Sequence, residues 1–116
     1  MSATQFADLP AATLLSICDK LGGDGHGLYD PAFLVQEGVP QKLVESVTHT
    51  YESGSDYKST IFKDGNVIAE TTAIYSLTLY RAIAGSLGLA HSKMSGRGFE
   101  ARDLDRRIHE HLAKQQ

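Results

Sequence analysis

Tryptophan is absent, cysteine occurs once and proline three times in the 116 residues. The single thiol, Cys18, has no partner for an internal disulfide, so a stapled secreted scaffold and a cysteine-built zinc site are both excluded. No apolar run approaches the roughly 20 residues needed to cross a bilayer. The opening segment MSATQFADLP has neither the basic nor the apolar part of a signal peptide. A soluble protein of a reducing, cytoplasmic compartment with no membrane partner is therefore expected. Charge of one sign is lacking as well. Eleven basic residues stand against fourteen acidic ones, a net of −3, so no global positive excess announces a nucleic-acid or membrane surface.

What is present is ordinary globular composition, 41% hydrophobic and 22% charged, in a chain of the length of one domain. We read residues 1–116 as a single domain, because there is no repeat, low-complexity stretch or linker. Charge is nevertheless uneven. Residues 1–57 carry −6, residues 58–74 balance, and residues 75–116 carry +3.

Residues 9–21 have apolar positions at helical spacing, Ala11, Leu14, Ile17, Cys18 and Leu21. Pro10 suits the first turn, Asp8 a cap, and Gly22-Gly23 the stop. A short helix over 31–37 is bracketed by Asp30-Pro31 and Gly38. Residues 42–74 turn β-rich: a strand from Leu43 to Tyr51, a turn at 53–56, a strand from Tyr57 to Lys63, the hairpin dipeptide Asp64-Gly65, and a strand from Val67 to about Thr72. Leu43, Val44, Val47 and Tyr51 also recur at helical spacing, so a helix over 41–51 is the alternative. Helices follow over 74–87, capped by Thr71 or Thr72, and over 99–114, with Ala101, Leu104, Ile108 and Leu112 on a narrow stripe.

The expected fold class is α+β in two layers: N-terminal helices, a three-stranded antiparallel meander and two C-terminal helices. The helix–three-strand–helix order resembles that of a double-stranded-RNA-binding domain. The basic cluster such a domain carries after its third strand is missing, and Glu70-Thr71-Thr72-Ala73-Ile74-Tyr75 stands there. With 41–51 helical, the helices plus the hairpin would instead resemble a winged helix. Order alone assigns no function.

Chemistry-bearing motifs are few. The segment His91 to Phe99 is a Gly/Ser loop with two cations that runs into a helix N-terminus, where free N–H groups and the dipole favour anions. Lys93, Ser95, Gly96, Arg97, Arg102 and Arg106 are the candidates for holding a phosphate-bearing ligand or nucleic acid. Arg102 and Arg106 lack good local compensation, whereas Asp103–Arg107 and Glu110–Lys114 are spaced as helix ion pairs. His109 and His111 lie on different sides of their helix, and Asp24, His26 and Asp30 match no named metal site. Cys18 on an apolar stripe reads as a structural thiol, and no Gly-x-Ser-x-Gly, His-Glu-x-x-His or Cys-x-x-Cys occurs. No catalytic residue, metal or cofactor is assigned.

Five tyrosines suit an interface. Tyr51, Tyr57, Tyr75 and Leu79 are the interface candidates, and a meander would leave an edge strand for self-association. The leading expectation is a non-enzymatic binding protein, a small regulator or inhibitor working by protein–protein contact, of the type common among phage and mobile-element products. A binder of a nucleotide or nucleic acid through residues 91–99 comes second. A small enzyme of unknown reaction comes third.

Overall fold

A computed structural model describes residues 5–30, 32–45, 56–63 and 66–115, with Leu28, 56–63 and 66–73 as backbone. A 3-10 turn, Phe6–Asp8, leads into α1, Ala11–Leu21. Pro10 precedes α1, and its carbonyl accepts the N–H of Thr13 and Leu14. Asp8 does not cap α1; its carboxylate takes the Gln5 N–H at 3.2 Å. Gly22, at φ 68°, ends the helix in the left-handed region that glycine tolerates. Next come β1, Leu28–Tyr29, and α2, Ala32–Gln36, where Asp30 Oδ1 accepts the Ala32 N–H at 2.9 Å.

Residues 41–45 are helical and form the described part of α3. Strands β2, Asp56–Lys63, and β3, Asn66–Tyr75, pair antiparallel from Asp56↔Ile74 to Lys63↔Asn66. The chain then passes directly into α4, Ser76–Ser86, and ends on α5, Arg97–Ala113. The expected cap at Thr71 or Thr72 lies inside β3, and Tyr75 precedes α4 without a side-chain cap.

These elements overturn the α+β class with its three-stranded meander. Most of the described residues are helical. Three consecutive strands over 43–51, 57–63 and 67–72 are not seen, because the described part of the first is a helix. Pro40 explains that choice. Its carbonyl accepts the N–H of Leu43 and Val44, at 3.0 and 3.1 Å, so the β-branched composition yields to a proline-initiated turn. Both Leu43 and Val44 then bury, at 6% and 4% exposure. Residues 46–51 lie outside the described residues. What joins β3 on its free side is the two-residue β1, through Leu28↔Tyr75 and Tyr29↔Ile74, so the strand order is β1-β3-β2.

The core is where the helices meet. Leu14, Ile17, Cys18 and Leu21 from α1 cluster with Leu79, Tyr80, Ile83 and Ala84 from α4 and Ala101, Leu104, Ile108 and Leu112 from α5. Leu34, Val39, Leu43 and Val44 carry α2 and α3 onto the same cluster. Tyr80 is fully buried. Its hydroxyl accepts the Gly23 N–H at 2.8 Å and donates to Asp105 Oδ1 at 2.9 Å, joining the end of α1, α4 and α5 at one atom. Burial and the Asp105 hydrogen bond push its ionisation far above the ordinary range. Burial and the nearby Asp105 and Asp19 push the Cys18 thiol up to about 12.

Candidate functional site

Between α2 and α3 stand four residues, Glu37 to Pro40. Gly38 takes φ 97°, which a side chain would resist, and the Val39 N–H returns to the Leu34 carbonyl at 3.0 Å. Leu34 before the turn, Val39 within it, and Leu43 and Val44 after it are all buried, so two helices with a tight glycine turn sit on the core as one unit. Glu37 fastens that unit to α1. Its carboxylate receives the Ser16 hydroxyl at 2.8 Å and the Lys20 ammonium, with the Glu37 side chain only 9% exposed. On the outward side of α3, Gln41, Lys42 and Glu45 are exposed.

The 91–99 segment is built differently from the expected anion cradle. Lys93 and Ser95 are exposed in the connection, and Gly96, at φ 104°, precedes α5. Arg97 places its guanidinium 4.1 Å above the Tyr75 ring, turning toward the end of β3. Arg102 lies 5.0 Å over Phe99, with its stem along Gly23. Arg106 is paired within its own helix, to Asp103 at 2.9 Å and Glu110 at 3.0 Å. The expected shortage of partners for Arg106 is thus corrected: Asp103, one turn back, reaches it, and Glu110 turns to Arg106. The three arginines thus turn to different partners, Tyr75, Phe99, and Asp103 with Glu110. Gly96 and Arg97 do share a small cavity of about 260 Å³ with Arg81, Glu100, Leu77 and Thr78.

Of the interface candidates, Tyr75 is half-buried under Arg97 and Leu79 is buried at 1% exposure. Leu79 belongs to the core because α4 is covered on nearly all sides, which its helical spacing could not reveal. Tyr57 is in β2, paired with Ala73. Tyr51 lies outside the described residues.

Two features escaped the sequence. One is the Glu37 clasp, whose partners are 17 and 21 residues away. The other is a forked ion pair between α4 and α5. Arg81 Nε and Nη2 donate to Glu100 at 2.5 and 2.9 Å, and this hydrogen bonding holds the Glu100 carboxyl below its ordinary range. Asp103 is lowered too, by the Ser92 hydroxyl at 2.8 Å and by Arg106. No local spacing signals pairs that only the packing of α4 on α5 brings together.

Among the described residues no three histidine, cysteine, aspartate or glutamate side chains gather as a metal site. Nor is any described helix long and apolar enough to cross a membrane. Compared with known proteins, the chain matches no protein family, no curated protein and no solved structure.

Proposed function

We propose that this protein binds double-stranded DNA as a small regulator, with α3 as the helix that reads the groove and the β2–β3 hairpin as its flanking wing. One observation carries this reading: the order of the described elements, α1, β1, α2, turn, α3, β2 and β3, with strand order β1-β3-β2. A helix–turn–helix followed by an antiparallel hairpin is the arrangement of a winged helix. In helix–turn–helix readers the N-terminal residues of the second helix meet base edges. Gln41 and Lys42 occupy that position here and are exposed. Glutamine suits adenine and lysine suits guanine in the major groove. The cytoplasm is the compartment this reading fits.

Anisotropy of a labelled random-sequence duplex tests it. We expect binding in the range of roughly 10⁻⁴–10⁻⁶ M at moderate salt, weakening as salt rises. The slope of that dependence should report how many phosphates are contacted. Lys42→Glu should weaken binding about tenfold or more, and Arg97→Glu should leave it unchanged. Loss with Arg97→Glu alone would move nucleic acid to the 91–99 loop. No binding at low salt would end the DNA reading.

A regulator acting by protein contact is the second reading. Two large exposed apolar side chains around the start of α5 favour it, Met94 before it at 48% and Phe99 in its first turn at 56% exposure. Self-association along the outer edge of β2, which pairs with no other described strand, belongs to the same reading. Size-exclusion chromatography with Phe99→Asp separates it: a dimer that this change leaves intact would move the contact away from residues 94–99.

A further inference from the structure

Helix α2 is five residues long, too short to hold itself, and the unit it forms with the turn and α3 depends on what it rests against. Leu34, Val39, Leu43 and Val44 keep that unit on the core, but apolar burial has no preferred direction. Hydrogen bonds do have one. At the start of α2, the Phe33 and Tyr29 rings pack 5.4 Å apart, and the Tyr29 hydroxyl donates to the Lys20 carbonyl at 2.9 Å. At its end, the Glu37 N–H donates to the Phe33 and Leu34 carbonyls, each at 3.1 Å, which fixes the Glu37 backbone to the helix.

The Glu37 carboxylate then spans two donors of α1. Its Oε2 accepts the Ser16 hydroxyl at 2.8 Å, and its Oε1 takes the Lys20 ammonium. Ser16 and Lys20 are four apart within α1, so they stand on one face and a single carboxylate reaches both. Only 9% of the Glu37 side chain is exposed, and a carboxylate so far removed from water is costly unless paired. The turn is therefore held where both donors are met.

From Glu37 the chain needs only Gly38, Val39 and Pro40 to reach α3, and the Val39 N–H is itself tied to the Leu34 carbonyl. That leaves little slack. Where Glu37 is held decides how Gln41 and Lys42 are presented.

We propose that Glu37 is a positioning residue: by holding Ser16 and Lys20 it sets the pose in which α3 offers Gln41 and Lys42 to the DNA groove. This rests on the DNA reading of α3. Charge gives the proposal a sign. Glu37→Gln removes a negative charge from a chain whose ligand is an anion, so charge alone would tighten binding. Loss of the pose should weaken it.

Anisotropy titration with duplexes that the native chain enriches from a random-sequence pool tests the assignment. Glu37→Gln should bind about tenfold or more weakly, the scale of one mispositioned base contact. Its salt slope should match the native one, because no phosphate contact is removed. Glu37→Asp keeps the charge but is one methylene too short to span both donors, and it should weaken binding likewise. The swap of Lys20→Glu with Glu37→Lys should recover most of the loss, since the Ser16 hydroxyl can accept from an ammonium as well as donate to a carboxylate. Circular dichroism at the titration temperature identifies the folded variants. Native-like or tighter binding by folded Glu37→Gln or Glu37→Asp would overturn the proposal while the DNA reading stands, as would a loss that the folded swap leaves unrecovered. Unfolding of all three variants would overturn it too, since Glu37 would then hold the fold and not the pose. Absence of DNA binding by the native chain would instead end the DNA reading, and this proposal with it.

Discussion

Glu100 shows how much one residue can carry. It fills three roles in one turn of α5: an acid in the first turn of its helix, the partner of Arg81 across the α4–α5 contact, and a wall of the small cavity beside Arg97. Because its carboxyl is held below the ordinary 4.5, its contribution to stability is complete above that value and is lost as pH falls through the lowered one. Glu100→Gln should therefore melt below the native protein at pH 7. The gap between the two melting temperatures should close as pH is taken progressively below 4.5. A gap independent of pH would mean that the charge contributes nothing. Arg106 marks the opposite case. Its guanidinium is exposed, and ion pairs made by a solvated side chain contribute little.

Among the elements, the loop between α1 and β1 determines where α5 begins. Gly22 and Gly25 both take positive φ, 68° and 82°, yet their surroundings differ. Around Gly22 there is open space, whereas a Cβ on Gly25 would fall onto the Arg97 carbonyl and within 3.0 Å of Ala101 Cβ. Gly22→Ala should cost only the left-handed penalty, roughly 1–2 kcal/mol. Gly25→Ala must also push the first turn of α5 away, so its loss in urea denaturation should exceed that of Gly22→Ala by about 1 kcal/mol or more. Equal losses would show that α5 yields to the loop at no cost. Three glycines in residues 23–27, following the Gly22-Gly23 stop, mark a loop in the sequence. The sequence held no sign that the loop abuts a helix starting 70 residues later, because close approach is a property of two segments together.

Taken as a whole, the molecule is held by one cluster shared by α1, α2, α3, α4 and α5. Cys18 is a probe of that cluster, 1% exposed with its thiol pushed up to about 12. If the cluster melts as a unit, a thiol reagent at neutral pH should label Cys18 only on global unfolding. The labelling midpoint in denaturant should then match that of far-UV circular dichroism. Labelling well before the loss of helix would split the chain into separately melting parts and contradict the single-domain expectation.

The helices of this protein were written locally. The spacing of Leu14, Ile17, Cys18 and Leu21, and of Ala101, Leu104, Ile108 and Leu112, marks faces that must be covered wherever they go, and Gly22, Gly38 and Gly88 stop the chain by conformation alone. Residues 41–45 were ambiguous because Leu43 and Val44 fit a strand as well as a helix. The turn that starts at Pro40 set the helix, and both side chains are buried in the shared core that the helices assemble. The two residues of β1 have no strand pattern of their own and exist as a strand because β3 offers an edge. Periodicity and turn chemistry act over a few residues and can be read along the chain. Pairing partners, the Glu37 clasp, the Arg81–Glu100 fork and the cavity beside it arise between distant segments, and the tertiary structure alone brings those together.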